Sequence, residues 1–164
     1  VSKRTRLQEC LISTGFPFRK GDNFNNYLRM MGDVMQRTAG LRRPGSAALD
    51  LAYVAAGFTD GFFETGLSPW DVAAGSLLVT EAGGLVGNFT GESDFLEQKE
   101  CLAGAPRIYG QLVSILGKFS KFASAGDKAT VRAAVDTLKR GNSADGEEDA
   151  AAQDDGSESQ DAPF

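Results

Sequence analysis

Between Glu9 and Phe119 short apolar runs alternate with longer runs of helical spacing, and glycine or proline punctuates the junctions. This alternation constrains the fold most. A short apolar strand must find pairing partners, and an amphipathic helix must find a sheet or helix to cover its apolar stripe, so strands alternating with helices predict a layered α/β architecture. Glu9–Thr14 (ECLIST) reads as a strand ended by Gly15 and Pro17. From Asn23 or Phe24 to about Thr38, Phe24, Tyr27, Leu28, Met31, Val34 and Met35 recur at three- and four-residue steps and predict a helix stopped by Gly40. LRRPG is extended, because the residue before Pro44 avoids helical angles. Ser46 is placed to cap a second helix, AALDLAYVAAG, which Gly57 ends. DGFFET reads as a strand, PWDVAAGSLLVTEAGG as a helix with Pro69 at its start, and LVGNF and ECLAGA as strands around a polar loop, GESDFLEQK. Pro106 opens a further helix to about Phe119.

Beyond that unit the composition changes. An amphipathic run from Gly126 to Lys139, with Asp127 at the capping position, predicts an extra helix within residues 121–140. From Gly141 to Phe164 there are eight acidic residues and no Lys or Arg, which predicts a disordered acidic tail over 141–164. The net charge of -5 therefore conceals a split, because the rest of the chain holds 17 basic and 14 acidic residues, a balance of +3. That excess is too small to argue for nucleic-acid binding. No apolar run reaches the roughly 18–20 residues of a membrane helix, and the opening VSKRTRLQEC has no signal-peptide core. The expectation is a cytoplasmic protein with no membrane association. There is no histidine, and Cys10 and Cys101 stand far apart in apolar stretches. A zinc site of Cys/His type is excluded, so any metal is held by oxygen, as Mg²⁺, Mn²⁺ or Ca²⁺ is.

The candidate chemistry centres on Asp71, a lone carboxylate at the start of an otherwise apolar helix. A helix start has unpaired N–H groups and a partial positive charge, so capping alone accounts for an acid there. The alternative is a divalent cation bridged to a phosphate, with Trp70 locking the backbone and the small AAG following it leaving room for close approach. RRPGSAALD joins two arginines, a turn and a helix start. Gly45 and the N–H groups after Ser46 either form an ordinary cap or face an anion or sugar hydroxyls. Glu64 leaves the strand DGFFE as a solvated residue or as a ligand group. Glu81 lies near three turns beyond Asp71 and reads foremost as a helix-end polar residue.

Taken together, RPGSAALDLAYVAAGFTDGFFE, WDVAAGSLLVTEAGG and CLAGAPR, with TGFPFR upstream, closely resemble the carboxyl-terminal half of the inositol monophosphatase family, over residues 1 to about 120. The resemblance implies the layered α/β sandwich of sugar phosphatases, here its carboxyl-terminal half, with a mixed sheet flanked by helices. It implies Mg²⁺-dependent hydrolysis of a phosphate monoester such as inositol 1-phosphate, with metal-activated water as the nucleophile. By the same resemblance Asp71 is a catalytic metal ligand that also borders the substrate. Gly45, Ser46 and Ala47 contact substrate, Glu64 binds inositol hydroxyls, and Arg42 is a further substrate-side residue.

The family's other metal ligands lie in an E-E/E-S context and an Asp-Pro-x-Asp-Gly-Thr/Ser motif, and neither occurs here outside the tail's Glu147-Glu148. The expectation is therefore a fragment or truncated product that is weakly competent or inactive alone and exposes an apolar face for the missing amino-terminal half. A homodimer is implied for the complete protein. The competing readings are a non-catalytic binding module with a transcription-machinery partner, since bacterial relatives are linked to transcription and ribosomal RNA synthesis, and a decayed pseudo-enzyme.

Overall fold

The computed structural model describes residues 1–16 and 23–123. The helix expected over 126–139 and the tail after Gly141 lie outside the described residues. Strands β1 (Leu11–Thr14), β2 (Gly40–Arg42), β3 (Gly61–Thr65), β4 (Leu85–Gly87) and β5 (Glu100–Gly104) form one sheet in the order β2-β1-β3-β5-β4. β1 runs parallel to both β2 and β3, whereas β5 runs antiparallel to β3 and β4. The helices are α1 (Phe24–Met35), α2 (Ala47–Ala55), α3 (Pro69–Glu81), α4 (Phe95–Gln98) and α5 (Pro106–Leu116), with short 3-10 turns at Leu7–Glu9 and Gly117–Phe119. The α/β architecture with a mixed sheet is as the sequence predicts.

Strand alternation explains the two cores. Successive side chains of a strand point to opposite faces, so Phe63 and Leu102 join Ile12, Tyr27, Met30, Val34, Ile108 and Leu112 on the face covered by α1 and α5. Phe62, Cys101 and Ala103 join Leu51, Val54, Val72 and Val79 on the face covered by α2 and α3. Phe62 and Phe63 are both fully buried, each contributing about 1.5–3 kcal/mol by removal from water. Helices α2 and α3 approach closely through Gly75, where an added Cβ would lie 2.5 Å from Leu51 Cβ.

Boundaries differ where pairing or capping is not local. Glu9 ends a 3-10 turn and Cys10 caps it, so the first strand is shorter than ECLIST. α1 ends at Met35, three residues before Thr38. Its start matches, since the Asn23 side chain accepts the Asn26 N–H at 3.0 Å. β4 stops at Gly87 because Asn88 turns the chain, its Oδ1 accepting from the N–H groups of Thr90 and Glu92. The polar loop GESDFLEQK contains the single turn α4. Both cysteines are buried and free, and burial pushes the Cys101 thiol up to about 12.

α3 is apolar on two sides. Val72, Gly75 and Val79 face the sheet, while Trp70, Leu77 and Leu78 point outward and are exposed, as is Leu49 on α2. A helix that is apolar all round is built to be covered all round. Exposed apolar side chains are thus present on α2 and α3. The expectation that Trp70 locks the Asp71 backbone is not met: its side chain is 81% exposed, because it projects from the outer face of α3.

Candidate functional site

The parallel strands set the geometry. β1, β2 and β3 all end on one side of the sheet, where α2 begins after β2 and α3 begins after β3. Glu64 stands near the end of β3, Gly45 to Ala47 at the entry to α2, and Asp71 in the first turn of α3. The topology therefore gathers these predicted residues along the carboxyl ends of the parallel strands, where open α/β sheets place their ligands.

Each is held by local structure. The Asp71 carboxylate is half-buried, and its Oδ2 accepts the Ser68 backbone N–H at 2.8 Å. This satisfies a donor at the helix start, so the capping reading of Asp71 is correct as far as it goes, and Oδ1 is a second acceptor. Gly45 has a φ of 101°, a left-handed conformation that favours glycine. Ser46 occupies the N-cap position of α2 but makes no side-chain capping bond, and Ala47 is buried beneath it. Arg42 folds back on its own strand, Nη1 donating to Leu41 O at 2.9 Å. Arg43 instead lies over the Phe16 ring at 5.2 Å, with Nη1 3.5 Å from where a Cβ on Gly45 would stand. Of the two arginines it is Arg43 that sits against the α2 entry. Glu81 is exposed at the far end of α3, away from Asp71.

Three residues not singled out from the sequence also belong here. Gly15 lies under the Glu64 carboxylate. Asp50, in the first turn of α2, is 1% exposed, and neither its carboxylate nor the Ser13 hydroxyl has a hydrogen-bond partner among the described residues. Burial pushes the Asp50 carboxyl above its usual range, partly offset by nearby Ser13, the Ser46 backbone and the Arg43 charge. The only sequence signal for Asp50 is an acid inside the apolar run AALDLAYV. A carboxyl whose folded pKa is raised binds its proton more tightly folded than unfolded, so stability falls as pH rises through the folded value. Asp50→Asn is expected to be more stable than the parent at pH 7, the difference closing as pH falls toward the unfolded value of about 3.9. Urea midpoints between pH 4 and 7 measure this, and an Asn variant less stable at pH 7 would contradict it.

Among the described residues no group of three or more His, Cys, Asp or Glu side chains lies close enough to hold a metal ion. Mg²⁺ demands about six oxygen ligands, commonly one or two carboxylates with waters and substrate phosphate. Asp71 fits as one such ligand by charge, partial exposure and position, and does not complete a site.

The fold is thus a mixed sheet between helical layers, with carboxylates and a glycine turn at the ends of its parallel strands. The inositol monophosphatase family matches residues 1–120, and the chain belongs to that family. Nus factor SuhB of Pseudomonas aeruginosa is 52% identical over 118 residues, covering 71% of this chain and 44% of that protein. The crystal structure of extragenic suppressor protein SuhB from Bartonella henselae superposes with a TM-score of 0.68 at 48% identity, over 72% of this chain and 45% of that one. Inositol monophosphatase from Anabaena gives 0.67 at 40% identity, over 72% and 47%. The chain thus spans less than half the length of these relatives. No described helix is long and apolar enough to cross a membrane.

Proposed function

We propose that this chain forms the substrate-side half of a Mg²⁺-dependent phosphate monoesterase acting on inositol 1-phosphate or a related sugar phosphate. The observation that carries the reading is the gathering of Asp71, Glu64 and the Gly45–Ala47 turn at one end of the parallel strands. In this reading Asp71 is one oxygen ligand to the metal, Glu64 accepts from sugar hydroxyls, and the α2 entry at Gly45, Ser46 and Ala47 lies along the substrate. Bound divalent ions would polarise the phosphoryl group and lower the pKa of the attacking water. The remaining ligands belong to the part of the family fold that this chain does not span, which would also cover Trp70, Leu77 and Leu78. In the protein extended to the length of its relatives, phosphate release from inositol 1-phosphate is expected to require Mg²⁺ and to stop on EDTA addition. Release unaffected by EDTA overturns the metal-dependent reading.

A second reading rests on the relatives named Nus factor: the chain takes part in transcription through a protein partner, with or without hydrolysis. A pull-down of transcription proteins by the 164-residue chain, lost when residues 141–164 are deleted, supports a tail-dependent contact; equal capture without the tail removes that role.

A further inference from the structure

We infer that Gly15 is a positioning residue that seats the Glu64 carboxylate and thereby sets selectivity for hydroxyl-bearing phosphate esters. The inference rests on the proposed role of Glu64.

A Cβ built on Gly15 would stand 2.2 Å from Glu64 Cδ, 2.2 Å from Oε1 and 2.4 Å from Oε2. All three atoms of the carboxylate thus lie across the Gly15 Cα, at separations no real Cβ tolerates. The glycine is not required by its backbone, since its φ lies outside the left-handed region. A methyl there would instead meet the far end of the Glu64 side chain, which has to swing aside.

On the strand side the backbone beneath the carboxylate is anchored. Thr14 pairs with Phe63 in the β1–β3 register, and its Oγ1 donates to Phe63 O at 2.7 Å and lies 2.6 Å from the Tyr27 hydroxyl. On the other side Phe16 carries the Arg43 guanidinium on its ring. A methyl group at position 15 must therefore displace the side chain of Glu64. A carboxylate is pointed at a ligand hydroxyl only as accurately as its own support allows, and selection among hydroxylated ligands depends on such buried or half-buried polar partners.

The test uses the extended protein and two esters, inositol 1-phosphate and phenyl phosphate, which offers no hydroxyls. Gly15→Ala is expected to raise KM for inositol 1-phosphate roughly tenfold while kcat for phenyl phosphate stays within about twofold. Equal losses on both esters, or no loss on either, overturn the inference. If the extended parent hydrolyses neither ester, the enzymatic reading fails, and the placement of Glu64 is then decided in the 164-residue chain. There, the ¹³C resonance of the labelled Glu64 carboxyl is expected to move in Gly15→Ala, since its surroundings change; an unmoved resonance overturns the inference.

Discussion

Replacing Asp71 by Asn in the extended protein is expected to lower phosphate release at least about a hundredfold while leaving the stability of the 164-residue chain nearly unchanged. Two roles meet on this side chain and the variant separates them. As a cap, Asp71 accepts the Ser68 N–H at 2.8 Å, a bond the Asn amide oxygen can replace. What Asn removes is the negative charge. At a helix start that charge contributes about 0.3–1 kcal/mol, but as an anionic ligand to a hard cation it has no neutral equivalent of similar strength. Asp71→Ala removes both functions and is expected to cost about 1 kcal/mol in stability in addition to the activity. Urea denaturation of both variants, beside Mg²⁺-dependent turnover, distinguishes the outcomes. Turnover in Asp71→Asn equal to the parent would reduce Asp71 to a cap.

The legibility of this chain follows the range of the forces. α3 begins at Pro69 and ends at Glu81 much as its sequence predicts, because a proline at the first turn, a reciprocal carboxylate and a glycine pair are all local signals. β2 is only three residues long and is recognisable as a strand mainly through its parallel pairing with β1, which no local pattern announces. α4 is a single turn, too short to show a period. The site divides in the same way. Asp71 is conspicuous as an acid opening an apolar helix, but the residues alone leave a cap and a cation ligand both open there, and the substrate roles of Gly45, Ser46, Ala47 and Glu64 are implied by the family resemblance. The seating of Glu64 on Gly15 exists only because β1 and β3 lie side by side in register, Thr14 opposite Phe63. The choice between adjacent arginines depends on which way each turns from β2: Arg42 returns to Leu41 O and Arg43 reaches Phe16. Trp70 misleads for the opposite reason. Its position beside Asp71 suggests packing, yet helical geometry places it on the outer face of α3.

At the other end of the parallel strands, Asp60→Ala is expected to destabilise the chain by about 1–3 kcal/mol, chiefly by leaving a backbone donor without its acceptor. Asp60 stands just before β3 with its side chain 1% exposed. Its Oδ2 accepts the Leu11 N–H at 2.7 Å and its Oδ1 accepts Arg4 Nη1 at 3.0 Å, while its own backbone N–H donates to Leu11 O at 2.8 Å. One side chain therefore ties the segment before β1 to the start of β3, and Arg4 is held more firmly protonated by it. Truncation to Ala leaves the Leu11 N–H without its acceptor at the first residue of β1, which has a neighbour on each side, and returns the guanidinium to water. The backbone bond from Asp60 N–H persists, so the strand pairing itself is weakened and not abolished. Asn offers one oxygen and two N–H groups, so it can satisfy Leu11 or Arg4 but not both, and its loss should fall between those of Ala and the parent. The segment is also latched by Gln111 of α5, which accepts from the Leu7 N–H and donates to Thr5 O. Hydrogen exchange should consequently quicken first at Leu11 in Asp60→Ala, with Leu7 protected for longer. A urea midpoint unchanged from the parent, or uniform exchange across residues 4–14, would show that Gln111 and the apolar core hold this segment without Asp60.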